Sequence, residues 1–165
     1  MSETDQLVAH ANERARRQEP RNPGARPARR VTVVTCMDAR IDAFAIFGLQ
    51  EGDAQVIRNA GGAVTDDVIR SLAISQRLLG TEEVIVMHHR DCGMQTFTNE
   101  SFAAELEAET GMRPPWAVEC FTDAEVEVRQ CLARLRSSPF LAHKESLRGF
   151  IYDVATGMVE EVDAS

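Results

Sequence analysis

No apolar run in this chain approaches the ~20 residues that a membrane-spanning helix requires. The opening residues Met1-Ser2-Glu3-Thr4-Asp5 are acidic and carry no apolar h-region, so a cytoplasmic protein without a secretory leader is expected. Aromatic residues make up only 5% of the chain, with one Trp and one Tyr, and no basic, aromatic groove suited to nucleic acid is visible. Neither Gly-x-x-x-x-Gly-Lys nor Gly-x-Gly-x-x-Gly occurs, which removes the common phosphate cradles. None of the four cysteines forms a Cys-x-x-Cys pair, which argues against a thioredoxin-type redox centre. Stable disulfides are also out of place in a cytosolic protein. A phosphatase loop would need an arginine six residues after Cys36. That position is Asp42, with Arg40 at plus four. There is no internal repeat, no well-placed serine nucleophile and no carboxylate pair with a clear sugar site.

At 165 residues and 44% hydrophobic, the chain is one globular domain's worth, long enough to bury a real core. Its net charge of -8 is uneven: residues 14–30 hold seven arginines against one acid, Glu19. A basic arm on an acidic body is expected to dock on its own domain or on a partner subunit, with no nucleic acid and no membrane as partner. Residues 1–30 therefore read as an N-terminal helix and basic arm, and 31–165 as the main domain.

Within the arm, residues 4–17 suit a helix with Leu7, Val8 and Ala11 on one face. Residues 18–30, with Pro20, Pro23, Gly24 and Pro27, read as an extended segment outside the core. The body alternates strand and helix. The β-branched run Val31–Thr35 is a buried strand ending at Cys36. A short helix through Phe44–Phe47 stops near Gly48, and a second strand spans 55–58 before the loop Asn59-Ala60-Gly61-Gly62. A helix over 66–79 stops at Gly80, and a third strand over 83–87 delivers His89. A helical stretch runs to Gly111. Thr122 and Glu125 form a capping box for a helix with Val128, Cys131, Leu132 and Leu135 on one face. A fourth strand over 149–154 and an antiparallel edge strand over 158–162 close the chain. This is an α/β domain with a mainly parallel sheet flanked by helices. If the strand order is 2-1-3-4, the ends of the first and third strands meet at the point where strand order reverses, where such sheets bind ligands.

Cys36, His89 and Cys92 fall at that crevice. Two thiolates and one imidazole form a soft, zinc-preferring set, one ligand short of the four that a structural site uses. Asp38 and Arg40 follow the first thiol. A carboxylate held by an arginine fork stays ionised and can orient metal-bound water. The same carboxylate can also fill the fourth position and shut the site. Gly61 and Gly62 allow close backbone approach to a small substrate, or they are merely a turn. His88 should face away from His89 and serve packing or hydrogen bonding. Cys120 and Cys131 read as packing residues.

Three motifs in this order, Cys36-x-Asp38-x-Arg40, Arg58-Asn59-Ala60-Gly61-Gly62 and His89-x-x-Cys92-Gly93, resemble the β-class carbonic anhydrases. The likeness runs from about Arg29 to the C-terminus and is greatest to the compact prokaryotic members. Ala39 stands where longer plant-type members usually carry Ser, which touches neither the ligands nor the Asp–Arg pair. The resemblance implies a zinc lyase that interconverts carbon dioxide and bicarbonate by attack of zinc-bound hydroxide. It implies one zinc per subunit on Cys36, His89 and Cys92, with Asp38 and Arg40 as the catalytic dyad. It also implies a homodimer as the smallest unit, with a tetramer as the larger alternative and the N-terminal arm wrapped on the partner. A narrow apolar pocket lined by residues such as Phe44, Phe47, Met94 or Phe97 is expected. The rival readings are a carbonyl sulfide hydrolase of the same fold and metal site, and a non-catalytic zinc or redox sensor.

Overall fold

The computed structural model describes residues 2–19 and 24–163. Five strands form one sheet: β1 Val31–Cys36, β2 Ala54–Asn59, β3 Glu83–His89, β4 Ser146–Tyr152 and β5 Val159–Val162. The order is β2-β1-β3-β4-β5, parallel except for the β4–β5 pair. Two crossovers run in opposite directions from β1, which places the switch point between β1 and β3, as the alternation of elements requires.

Helices α3 Asp66–Ile74 and α5 Ala124–Ser137 cover one face, where Val68, Leu72, Val128, Leu132 and Leu135 pack on Val34, Val84 and Val86. A smaller cluster around Ile41, Met87 and Phe121 lies with Cys36 and Cys92, beneath the short helix α2 Ala43–Phe47. Gly48 ends α2 in the left-handed region at φ 61°, where a side chain would be strained. The helix expected over 66–79 is α-helical only to Ile74, and Ser75–Leu79 continue it as a wider π turn before Gly80. Helix α4 spans Asn99–Thr110.

Three boundaries depart from the sequence reading. The N-cap of α5 is Asp123 rather than Thr122, because the Asp123 carboxylate accepts from both Glu125 N and Val126 N. A charged acceptor also suits a helix N-terminus better than a hydroxyl does. Strand β4 begins three residues earlier than expected, since Ser146, Leu147 and Arg148 already pair with Glu83, Val84 and Ile85. Strand β3 extends through His89, which makes that candidate ligand part of the sheet.

Helix α1 Glu3–Arg17 buries no residue, and Leu7 and Val8 are exposed. It meets the body through an exposed Arg14–Glu51 ion pair at 3.6 Å. Pro20, Arg21 and Pro23 of the arm lie outside the described residues. Beyond them Pro27 is buried, and the amides of Ala28 and Arg29 donate to the carbonyls of Gly52 and Asp53. The arm is thus anchored at its end rather than free throughout.

Candidate metal centre

The ends of β1 and β3 bring Cys36 Sγ, His89 Nε2 and Cys92 Sγ within 4.8 Å of one another, all three residues buried. The pleat of β3 aims His89 into this cluster. Its Nδ1 lies 3.0 Å from the Arg90 carbonyl, which can only accept, so Nδ1 carries the proton and Nε2 the lone pair. That Nε2 is buried and has no hydrogen-bond partner among the described residues. An unpaired acceptor of this kind is costly unless a ligand meets it.

The two thiols share a proton. Cys36 is pulled well below the ordinary thiol value, chiefly by a hydrogen bond from Cys92, with the backbone of Asp38 and Gly61 adding to the effect. Cys92 is held upward by the same bond and by burial. A divalent cation would displace that proton, and two thiolates would neutralise its charge. Donor type, donor charge and the orphaned nitrogen all fit zinc.

Asp38 stands beside this cluster, its Oδ2 3.8 Å from His89 Nε2. Arg40 grips it with two parallel bonds, Nε to Oδ1 at 3.0 Å and Nη2 to Oδ2 at 2.7 Å, and the Arg40 amide adds a third at 2.9 Å. The Arg40 side chain and then its backbone amide hold the Asp38 carboxyl well below the usual carboxylate range.

Two positioning residues went unassigned in the sequence. Asp91 takes a 2.8 Å bond from Arg40 Nη1, and its carbonyl takes one from Nη2, so Arg40 bridges the loops after β1 and β3. Arg58 donates to the carbonyls of Cys36 and Asp38 at 3.0 and 2.7 Å, fixing the turn that carries both. The only sequence signal for either is membership in the motif runs already quoted.

A cavity of about 600 Å³ opens beside the cluster, lined by Cys36, Asp38, Gly61, Cys92, Met94 and Phe97 on one side. Phe102, Trp116 and Val118 also line it, and none of these three is singled out by the sequence. Phe44 and Phe47 do not line it. Phe44 is exposed and Phe47 packs in the small cluster around Ile41. The cavity is also wider than the narrow slot expected.

Gly61 borders this cavity, whereas Gly62 lies behind Cys36. A Cβ on Gly62 would come within 2.9 Å of the Thr35 carbonyl carbon and 3.0 Å of the Cys36 amide, and its φ of +74° is left-handed. Gly62→Ala is expected to cost about 1–3 kcal/mol in denaturant stability. By shifting Cys36 it should also weaken zinc about tenfold in a chelator competition. Unchanged metal affinity would separate Gly62 from the site.

The carbonic anhydrase family model matches residues 31–159, most of the chain. The chain belongs to the β-carbonic anhydrase family. It is 56% identical over 136 residues to beta-carbonic anhydrase 1 of Mycobacterium tuberculosis, covering 82% of this chain and 83% of that one. The crystal structure of a carbonic anhydrase from Streptococcus mutans superposes with a TM-score of 0.92 at 43% identity, covering 99% of each chain. A carbon disulfide hydrolase of Acidithiobacillus thiooxidans is 32% identical over 151 residues, covering 78% and 75%. The sulfur-substrate relatives are thus named for carbon disulfide, not for the carbonyl sulfide considered from sequence. Membership also disfavours the sensor reading, since this is a family of enzymes.

Proposed function

We propose that this chain reversibly hydrates carbon dioxide to bicarbonate and a proton, with one catalytic zinc per subunit held by Cys36, His89 and Cys92. The observation that carries this reading is the orphaned, buried Nε2 of His89, facing two thiols beside a carboxylate locked by an arginine. When bound, zinc supplies a Lewis acid that brings the pKa of water from about 15.7 to around 7.

The protein groups do the rest. Asp38, kept ionised by Arg40, accepts a hydrogen bond from the nucleophile and orients it toward the cavity. Both Asp38 oxygens already accept from Arg40, which supports a carboxylate acting beside the metal over one filling its fourth position. Met94, Phe97 and Phe102 keep the approach dry and suit a small apolar substrate, with Gly61 offering backbone at the cavity floor and Gly62 supporting Cys36.

The cavity far exceeds one carbon dioxide molecule, and Met37 and Trp116 at its lining are largely exposed. A second copy covering them would narrow it. Helix α1 buries nothing and ends in Arg14, Arg16 and Arg17, which fits a clasp on an acidic partner. These features support a homodimer in which 1–30 serve the interface and 31–165 the chemistry, with a tetramer as the larger form. No helix among the described residues is long and apolar enough to cross a membrane. We place the enzyme in the cytoplasm.

Identity favours carbon dioxide over a sulfur analogue: 56% to the tuberculosis enzyme against 32% to the Acidithiobacillus hydrolase at similar coverage. The test compares carbon dioxide hydration with sulfide release from carbonyl sulfide and carbon disulfide on one zinc-loaded preparation. The range is about pH 6 to 9.5, spanning the titration of metal-activated water. Hydration should dominate. Fast sulfide release with weak hydration would reassign the substrate, and no turnover of any of the three would end the catalytic reading.

A further inference from the structure

On the face of β3 opposite His89, a second group of ligating side chains converges. His88, Glu127 and Cys131 bring a ring nitrogen, a carboxylate oxygen and a thiol sulfur within 4.8 Å of one another. Glu127 and Cys131 sit four residues apart in α5, so both project from one side of that helix. His88 is the next-to-last residue of β3, and the pleat turns its ring toward α5.

Packing accounts for part of this arrangement. Cys131 is buried, and its S–H donates to Glu127 Oε1 at 3.7 Å. Packing leaves His88 unexplained. Its side chain is fully buried, Phe121 covers it at 5.3 Å between ring centroids, and neither ring nitrogen has a hydrogen-bond partner among the described residues. A neutral imidazole, the form that burial favours here, presents one donor and one acceptor, so both are left without a bond. Native interiors rarely tolerate that.

We propose that His88, Glu127 and Cys131 form a second site for a borderline-soft divalent cation such as zinc, distinct from the Cys36–His89–Cys92 centre. One thiolate, one carboxylate and one neutral imidazole balance a doubly charged ion, and a buried site requires such neutrality. Burial pushes the Cys131 thiol up to about 12 and raises the Glu127 carboxyl, in each case because an anion there lacks water. A cation would remove that penalty as it displaced the protons. A cavity of about 330 Å³, lined by Phe121, Asp123, Val126 and Glu127 among others, gives access from solvent at the Glu127 end.

Elemental analysis of the full-length holoprotein tests this, after saturation with zinc and removal of unbound metal. The parent should hold two equivalents per chain, and Cys131→Ala one, with carbon dioxide hydration retained. Cys36→Ala should keep the equivalent that Cys131→Ala loses. Cobalt(II) added to Cys36→Ala/Cys92→Ala should give a thiolate charge-transfer band that vanishes when Cys131→Ala is added. Should Cys131→Ala fold poorly, Glu127→Gln, half-buried and isosteric, should weaken the second equivalent tenfold or more. One equivalent in the saturated parent, or two in both Cys131→Ala and Glu127→Gln at unchanged affinity, would overturn the proposal.

Discussion

Asp38→Asn is expected to retain its metal and lose about 10²-fold or more in kcat. The parent carboxylate accepts three hydrogen bonds from Arg40, two from the guanidinium and one from the amide. Asn has the same size but only one acceptor oxygen, and its NH₂ would point into the donor fork of Arg40. The fork must open, leaving Arg40 to Asp91, and the group that orients the nucleophile is gone. Stopped-flow hydration with parallel metal analysis checks this, and undiminished turnover at full metal content would reduce the pair to a surface contact.

The depressed Asp38 pKa fixes a sign as well. An acid lowered in the folded state adds stability above its unfolded value of about 3.9, and that stability is lost as pH falls through the lower folded value. Asp38 therefore stays ionised through neutral pH. Any limb in kcat between about pH 6 and 9.5 arises from the metal centre or proton exit, not from the dyad.

Cys36→Ala is expected to lose one metal equivalent per chain relative to the parent, together with essentially all hydration activity. Three candidate donors converge beyond two strand ends, and removing one would leave His89 Nε2 and Cys92 to bind an ion alone. Two ligands seldom retain zinc against dialysis, and without it water keeps a pKa near ~15.7. The sharper readout is metal content, because a folding defect would also abolish activity. Circular dichroism should show the α/β signature retained, since the β1 core residues Val33 and Val34 do not depend on the thiol. Parental metal content in Cys36→Ala would refute the ligand assignment.

The legible part of this protein was whatever short-range pattern encodes. The β-branched run before Cys36, the glycine stops at Gly48 and Gly80 and the strand–helix alternation led to the observed sheet order, because each rests on local conformational preference and on the chirality of parallel crossovers. Less legible were the N-cap of α5 and the start of β4. The first turned on which of two adjacent residues captured two amides. The second turned on pairing with Glu83 and Val84, some 60 residues earlier.

The convergence of Cys36, His89 and Cys92 could be read from the chain because they sit at or just beyond the ends of strands whose order the pattern already implied. Tertiary structure alone decided what surrounds them. Arg40 reaches Asp91 across 51 residues, and Trp116 and Val118 enter a cavity opened by Cys36. Cys131, which reads as a packing residue in the sequence, lies within 4.8 Å of a buried His88 whose ring nitrogens have no hydrogen-bond partner among the described residues. Side chains that meet across such separations leave no periodic trace. Their proximity is set by how α5 and the loops dock on the sheet, and only the folded chain records it.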